Sequence, residues 1–222
     1  MLNIIASIQN GYALSNASTS KPWSLIEKTS DQALIDSIAV GDKNAIQVLF
    51  ARHKVRVYRF VLHLVGDASV AEDVISEVFL DVWRHADRFE ARSSVQTWLL
   101  AIARYKALSA LRSRSYEVLD ENAAAAIEDP ADNPEVVAQL NDRSAIVRKC
   151  LKQLSPAHQE IIDLVYYHEK SVAEISEIVG APQNTVKTRM FYARKKMTKL
   201  LNAEGIDSPT RSESAVNTSK PR

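Results

Sequence analysis

The chain has 222 residues, of which 46% are hydrophobic, and its 28 Lys and Arg nearly balance its 27 Asp and Glu. This length suits one ordinary domain or two small ones with a sizeable core. Glycine is scarce and strand-like alternation is absent, which predicts an all-α protein. The single cysteine, Cys150, excludes an internal disulfide framework and, among apolar helix positions, is expected to be a buried thiol.

The two ends of the chain differ from its middle. Residues 1–29 and 204–222 are rich in Ser, Thr, Asn or Pro, a composition that buries little surface, and both are predicted to be disordered. The mildly apolar start lacks the basic leader and sustained core of a signal peptide. No stretch is apolar for long enough to span a membrane, so no membrane insertion is expected.

Residues 30–114 predict a first helical domain. Cap residues and Gly-Asp breaks divide it into four predicted helices: Asp31–Ala39, Lys43–Val65, Ser69 to about His85, and Ser93 or Ser94 to about Arg114. The third begins with the capping-box pattern Ser69-Val70-Ala71-Glu72, and the fourth with its Gln version, Ser93-Ser94-Val95-Gln96.

The third predicted helix has an acidic stripe opposite its apolar face. Asp73, Glu77 and Asp81 form this stripe, and Leu80 falls among them. An exposed leucine ringed by acids suits a basic protein surface with an apolar notch. An ordinary solvated face explains the same pattern.

The fourth predicted helix interleaves aromatic and basic residues. No acid occurs from Ala91 to Tyr116, whereas Arg104 and Arg112 project away from the apolar face, with Trp98 at its edge. This composition is typical of single-stranded DNA binding, in which bases stack on aromatic rings while Arg holds the backbone. Taken alone, a tryptophan such as Trp98 is more often a core residue than a stacking platform.

Residues 115–133 predict an acidic, flexible linker. From Ser115 to Asp142 there are eight acidic residues and no Lys or Arg, and two prolines interrupt the stretch. Asn133-Pro134 is a good cap and first helical residue, so a second domain is predicted over residues 134–203. Ser155-Pro156 begins a further helix to about His168.

The end of the second domain predicts a helix-turn-helix. Ser171-Val172-Ala173-Glu174 forms a capping box, Gly180-Ala181-Pro182 stops the first helix, and Asn184 or Thr185 is expected to cap the second. From Ile178 to Ala203 there are six Lys or Arg and no acid, which favours DNA binding over a purely structural helical hairpin.

The exposed positions of the second helix in this motif are expected to contact different parts of the DNA. Lys187, Thr188 and Phe191 lie early, where base edges are reached in the major groove. Lys195 comes later and is expected to meet phosphates or simply to face solvent.

The sequence gives little support for catalysis. The five histidines show no close metal-ligand spacing, and there is no phosphate-binding glycine loop or serine nucleophile elbow. No enzyme activity, catalytic residue, metal or cofactor is therefore expected.

The order of motifs resembles one family. The motifs are Asp42-Lys43-Asn44-Ala45, the segment from Ala71 to Trp83, Thr97-Trp98-Leu99-Leu100-Ala101-Ile102-Ala103-Arg104, Leu154-Ser155-Pro156 and Thr185-Val186-Lys187-Thr188-Arg189. This set resembles the extracytoplasmic-function (ECF) sigma factors of bacterial RNA polymerase. The resemblance implies two small helical domains, a region-two bundle and a region-four helix-turn-helix, joined by an acidic linker.

The resemblance also implies partners. The core-polymerase clamp is expected to bind Asp73, Glu77, Leu80 and Asp81, and the flap to bind region four. Promoter DNA is expected as duplex at the minus-thirty-five element and as single strand at the minus-ten element. An anti-sigma protein is expected to hold the chain inactive, and all of this is expected in the cytoplasm.

The residues implied for DNA follow the two domains. Minus-thirty-five contacts are expected from Asn184, Thr185, Lys187, Thr188, Arg189, Phe191, Tyr192, Arg194 and Lys195. Minus-ten binding and melting are expected from Arg88, Phe89, Arg92, Gln96, Trp98, Arg104, Tyr105 and Arg112. Tyr105 and Tyr192 depart from residues frequent in the family, which is expected to alter promoter choice rather than the fold.

A stand-alone helix-turn-helix transcription regulator is the main alternative. It explains the segment from Ser171 to Lys199 equally well, with the first domain serving dimerisation or signal reception. It does not explain the acidic stripe, the basic aromatic helix and the acidic linker together. A nucleic-acid-processing enzyme is disfavoured because catalytic residues are missing.

Overall fold

The structure, a computed structural model, describes residues 29–118 and 141–205. Within these ranges it contains helices and no strand, which confirms the all-α prediction. The helices are α1 (Asp31–Ala39), α2 (Lys43–Val65), α3 (Ala68–His85), a 3-10 turn (Ala86–Arg88), α4 (Val95–Val118), α5 (Asn141–Lys152), α6 (Pro156–Tyr166), α7 (Val172–Val179) and α8 (Gln183–Ala203).

Local side-chain chemistry fixes most of the helix ends. Asp42 caps α2 by accepting from the backbone N–H of Asn44 at 2.8 Å, and Gly66 ends α2 in the left-handed conformation, with φ of 69°. The predicted cap of α3 was wrong: Asp67, not Ser69, accepts from Val70 N–H at 3.1 Å. Asp67 reaches the first turn two residues earlier, so Ser69 lies inside the helix.

Two predicted boundaries need correction. Helix α4 continues to Val118, so the first residues assigned to the linker are helical. The change from basic to acidic composition at residue 115 carries no helix-breaking Pro or Gly, and the helix therefore does not stop there. The predicted disordered ends, the acidic linker from residue 119 and the predicted helix start at Asn133-Pro134 lie outside the described residues, apart from residues 29, 204 and 205.

The first domain packs α1, α3 and α4 around α2. Its core includes Leu49 and Phe60 of α2, Val78 of α3 and Leu99 of α4, each at most 1% exposed. These positions recur at helical spacing in the sequence, so one face of each amphipathic helix is buried.

The second domain packs α5, α6 and α7 against α8. The predicted capping box of α7 is confirmed: Ser171 Oγ accepts from Glu174 N–H, and Glu174 Oε2 accepts from Ser171 N–H at 3.0 Å. Gly180 ends α7 with φ of 64°, and Val186 packs back onto it fully buried. Helix α8 begins at Gln183 after Pro182, slightly earlier than the predicted caps.

The two domains pack against each other, with α7 on α4 and α6 on α2. Ile161, Leu164 and Ile175 of the second domain join the same buried apolar cluster as Leu99 and Leu100 of the first. The sequence predicted two domains joined by a flexible linker but did not predict a contact between them. The structure places them in contact, because apolar residues on α6 and α7 pack against the first domain.

Candidate nucleic-acid interface

Helix α8 presents an exposed, basic recognition face. Lys187, Thr188, Phe191, Tyr192 and Lys195 are all exposed, and the apolar positions Val186 and Ala193 are buried behind them. Asn184 and Arg194 are also exposed, whereas Thr185 and Arg189 are half-buried. The residues predicted to reach base edges therefore lie on an accessible helix face at the end of a helix-turn-helix.

Aromatic rings enlarge this recognition face. Phe191 and Tyr192 are 61% and 54% exposed, and their rings meet edge to face with centroids 5.4 Å apart. The guanidinium of Arg194 lies over the ring of Tyr166, 5.6 Å from its centroid. Large exposed rings beside cations are available for contact with thymine methyl groups or sugars in a DNA groove.

The first domain presents a second basic face around α4. Arg88, Arg92, Tyr105 and Arg112 are exposed. The rings of Phe89 and Trp98 pack together with centroids 4.9 Å apart, both half-buried against the core. Trp98 thus serves partly as a core residue and partly as the edge of the face, between its two predicted roles.

Part of this α4 face is covered by acidic residues of the second domain. Arg104 Nε donates to Glu160 Oε1 at 2.5 Å, and its Nη2 donates to Glu160 Oε2 at 3.3 Å. The Glu160 side chain is 7% exposed and that of Arg104 is 22% exposed. A two-pronged guanidinium–carboxylate pair at this burial is weakly screened by salt.

A second acid covers the start of α4. Glu174 Oε1 accepts from Thr97 Oγ1 at 2.7 Å and from Lys170 Nζ at 3.0 Å, and Lys170 Nζ also donates to Gln96 Oε1 at 3.1 Å. Burial raises the pKa of Glu174, but the hydrogen bonds from Ser171, Thr97 and Lys170 outweigh it and lower the pKa to about 2. Glu174 therefore stays charged at neutral pH.

A third contact joins the end of α2 to α6. His63 Nδ1 lies 3.0 Å from Asp163 Oδ1, and the buried His168 places Nε2 3.4 Å from Asp163 Oδ2. Burial alone would raise the pKa of Asp163, but the two histidines hold it below its ordinary value. The His168 ring also meets Phe60 of α2 edge to face at 5.4 Å.

The predicted acidic stripe of α3 is partly neutralised within its own domain. Asp73 and Glu77 are exposed, and Leu80 and Asp81 are half-buried. Lys106 of α4 places Nζ 2.8 Å from Asp81 and 3.4 Å from Glu77. Lys106 thus pairs with Asp81 and Glu77, whereas Asp73 is exposed and is not contacted by this lysine.

A polar recess of about 600 Å³ lies beside the loop that precedes α4. Arg56, His53 and the loop from Ala91 to Gln96 contribute to its lining. His53 Nε2 and Arg52 Nη1 both contact Asp31, at 2.7 and 2.8 Å. The recess adjoins the segment predicted to hold melted DNA.

Sequence reasoning missed the acids that cover α4. Glu174 was assigned only to the capping box, and Glu160 was not singled out. Glu160 precedes Ile161, which is buried together with Leu164 on the same helix, and Glu160 itself is 8% exposed. A buried carboxylate requires a cationic partner, but the sequence could not identify Arg104, 56 residues away.

Within the described ranges, no helix combines the length and apolarity needed to cross a membrane. Over the same residues, no group of three or more His, Cys, Asp or Glu is placed to hold a metal ion. Cys150 is a buried free thiol, as predicted.

Comparison with known families defines the class of protein. Residues 49–116 match the model described as Sigma-70 region 2, and residues 144–197 match that of Sigma-70, region 4. One chain that carries both regions is a sigma-type transcription initiation factor.

Full-length relatives narrow the class. The chain is 31% identical over 175 residues to the ECF RNA polymerase sigma factor SigK of Mycobacterium tuberculosis (strain H37Rv), covering 77% of this chain and 92% of that protein. It is 27% identical to SigL of Mycobacterium tuberculosis (strain CDC 1551), covering 78% and 98%. The chain belongs to the ECF family of RNA polymerase sigma factors.

Solved structures agree with this fold. The sigma factor RpoE in complex with the anti-sigma factor NepR from Bartonella quintana superposes with a TM-score of 0.59 and 27% identity, covering 70% of this chain and 95% of that one. CnrH in complex with the cytosolic domain of CnrY gives 0.58 at 23% identity, covering 79% and 99%. The superposition on RpoE covers more than either matched region, and so spans both domains.

Proposed function

We propose that this chain directs RNA polymerase to promoters by contacting DNA at two separate points. Region four, residues 134–203, reads duplex DNA through the recognition face of α8. Region two, residues 30–114, captures and opens the minus-ten element through the α4 face, and the segment between them connects the two. The observation that carries the proposal is the presence of two basic, aromatic faces on two domains of one sigma-family chain.

Core polymerase is the second partner in the proposal. Asp73, Glu77, Leu80 and Asp81 of α3 are assigned to its clamp, and region four to its flap. Asp73 is assigned the leading electrostatic role because Lys106 already compensates Asp81 and part of Glu77. An exposed acid adds attraction and a faster encounter to a basic partner surface.

An anti-sigma protein is proposed as the regulator. The superposition on a sigma factor held by an anti-sigma factor spans both domains, which supports a similar placement of the two domains here. We further propose that the chain acts by binding alone, with no catalytic step and no cofactor, in the cytoplasm where polymerase and chromosome meet.

Reconstituted transcription tests the function. Purified chain and core polymerase from the same bacterium are incubated with fragments of its genome, and transcripts are mapped. Specific initiation that requires both proteins is expected. Tight binding to a promoter duplex by the chain alone, with core adding neither affinity nor initiation, would favour the stand-alone regulator.

The clamp assignment has a matched pair of variants. Asp73→Lys is expected to weaken binding to core polymerase by at least tenfold, since it reverses a charge at the proposed contact. Asp36→Lys, an exposed reversal on α1, makes the same change in net charge away from α3 and should leave the affinity near that of the native chain. Equal effects of the two changes would contradict the assignment.

A further inference from the structure

Tyr166 lies outside the helix-turn-helix but next to its recognition helix, α8. It is the last residue of α6 and is 61% exposed. Helix α6 packs against α8, and its buried residues Ile161 and Leu164 fix the position of the helix end. The ring of Tyr166 is therefore held at one place beside α8, where it adds little to the buried core.

Arg194 joins this ring to the recognition face. Its guanidinium lies over the ring of Tyr166, 5.6 Å from the centroid, which is within the range of a cation–π contact. Arg194 is exposed and follows Phe191 by three residues and Lys187 by seven, so the three side chains share one side of α8. Arg194 thus lies at the edge of the recognition face that is turned toward α6.

The neighbouring Tyr167 binds a different arginine and faces the first domain. Arg59 Nη1 donates to the Tyr167 hydroxyl at 2.6 Å, and the Arg59 guanidinium lies 5.5 Å from the centre of that ring. Tyr166 offers Arg194 only its ring. Among the described residues, neither the Tyr166 hydroxyl nor the Arg194 guanidinium has a hydrogen-bond partner, so the donors of Arg194 are available to a ligand.

An aromatic ring beneath an arginine prepares that arginine to bind phosphate. An unrestrained arginine loses rotamer entropy when it binds, and stacking on a ring restricts its rotamers beforehand. A stacked guanidinium keeps its N–H donors in its own plane, where two of them can meet the oxygens of one phosphate. In a helix-turn-helix, such backbone contacts flank the residues that reach base edges and fix the register of the recognition helix.

We propose that Tyr166 is a positioning residue for promoter binding, whose ring holds Arg194 against a backbone phosphate of the minus-thirty-five duplex. The inference deepens the proposed function and rests on it, because the recognition face of α8 must meet duplex DNA. It adds a residue of α6 to a DNA contact that the sequence motif places on α8 alone. Since phosphates carry no base identity, Tyr166 contributes affinity and register, and base choice remains assigned to Lys187 and Phe191.

The pair itself is tested in the full-length chain without DNA. The ring current of Tyr166 should shift the NMR signals of the Arg194 side chain, and Tyr166→Leu should move them to the positions of an unstacked arginine. Tyr166→Phe keeps the ring and should keep the shift. Leu is a good helix former, so the amide signals of α6 and α8 should show a retained fold. Arg194 signals that do not respond to Tyr166→Leu would overturn the proposal.

Duplex affinity tests what the pair does. Holoenzyme is titrated against a short labelled duplex that carries the minus-thirty-five element of a promoter mapped by reconstituted transcription. Tyr166→Leu should weaken binding by about fivefold, the size of a good cation–π contact at an exposed site, and Tyr166→Phe should bind like the native chain. Tyr167→Leu, the matched control, removes the next ring along the chain and should leave the affinity unchanged. Equal losses from the two Leu variants would contradict the role of Tyr166.

A double-mutant cycle shows whether Tyr166 acts through Arg194. Arg194→Ala should remove about one phosphate contact and reduce the slope of log K against log salt by about 0.9. It should also weaken binding more than Tyr166→Leu does. Because the ring then has no cation to position, Tyr166→Leu should cause no further loss in the Arg194→Ala background. Additive losses from the two changes would overturn the positioning role.

The outcomes separate this inference from the proposed function. If native holoenzyme did not prefer the promoter duplex over a scrambled one, the sigma function itself would be wrong. If native holoenzyme showed that preference and Tyr166→Leu bound as tightly, only the positioning role would be wrong. Tyr166→Leu should leave the preference itself unchanged, and a changed preference would mean that Tyr166 reads a base, which contradicts its assignment to a phosphate contact.

Discussion

The two proposed DNA faces of this molecule share a composition but differ in accessibility. The recognition face of α8 and the α4 face are both basic, acid-free and aromatic in sequence. In the structure, Lys187 and Phe191 are exposed, whereas Arg104 is held by Glu160 and Gln96 by Lys170. A basic aromatic helix in the sequence therefore predicts a nucleic-acid face without revealing whether that face is accessible.

The difference follows from what each helix packs against. Helix α8 is the last helix of its domain and buries only its inner side, through Val186 and Ala193. Helix α4 is central: α2 and α3 cover one side and α7 covers another. The α4 helix is therefore less accessible than α8 because a second domain packs against it.

The largest expected effect comes from the apolar support that both faces share. Ile175→Asp places an unpaired charge in a fully buried site and should reduce the free energy of unfolding of the second domain by more than about 4 kcal/mol. Duplex binding should be lost and the α4 face uncovered. Denaturant unfolding and amide NMR signals of each domain measure this.

Ala173→Asp is the matched control, because Ala173 is exposed on the same helix. It should change the free energy of unfolding by no more than about 0.5 kcal/mol. If Ile175→Asp also abolished the native signals of α1 to α4, the two domains would form one cooperative unit. The idea of a separable, merely covered face would then fail.

The next largest effect concerns the covered face alone. Arg104→Gln removes the cation that faces the buried Glu160 carboxylate and should reduce the free energy of unfolding by about 1–3 kcal/mol. Arg112→Gln, exposed on the same helix, should change it by less than about 0.5 kcal/mol. Urea unfolding at neutral pH measures the free energy of unfolding of both variants. Similar losses in the two would contradict the conclusion that Arg104 is held by Glu160 whereas Arg112 is exposed.

Helix positions and most of the core could be predicted from the sequence. Asp31–Ala39 and Lys43–Val65 match the structure at both ends, because Ser30, Asp42 and Gly66 supply local start and stop chemistry. The cap of α3 was misplaced because Asp67 and Ser69 are both good caps, and local rules rank them almost equally.

The covering of α4 could not be predicted, because it depends on pairing between distant segments. Nothing near Arg104 in sequence indicates Glu160, and nothing near Thr97 indicates Glu174. Helical periodicity shows which side of a helix is apolar, but not which domain occupies a polar side. The site residues of α8 were easier to place because their exposure depends on the fold of one short motif.

A smaller effect tests the exposed face by its salt dependence. Lys195→Ala should remove about one phosphate contact and reduce the slope of log K against log salt by about 0.9 for a promoter duplex. Lys152→Ala, an exposed lysine on α5, should leave the slope unchanged. Fluorescence anisotropy with holoenzyme over a range of salt concentrations measures both, and identical slopes would remove Lys195 from the DNA contact.

The smallest effect is the pH dependence of the contact at Glu174. Its folded pKa of about 2 lies below the ordinary 4.5, so its contribution to stability is complete above pH 4.5 and is lost as the pH falls toward 2. The difference in unfolding free energy between the native chain and Glu174→Gln should therefore shrink steadily over that range.

A second variant, Thr97→Val, separates the contribution of the contact between the domains to this pH dependence from the contribution of the capping box. Thr97→Val removes the hydroxyl that donates to Glu174 Oε1 but leaves Ser171 in place. The change in unfolding free energy that Glu174→Gln causes should be smaller in the Thr97→Val background than in the native chain, and it should depend less on pH. Chemical unfolding over the same pH range measures this change in both backgrounds. An identical pH profile in the two backgrounds would mean that the lowered pKa comes from helix capping, and that closure over α4 adds nothing to it.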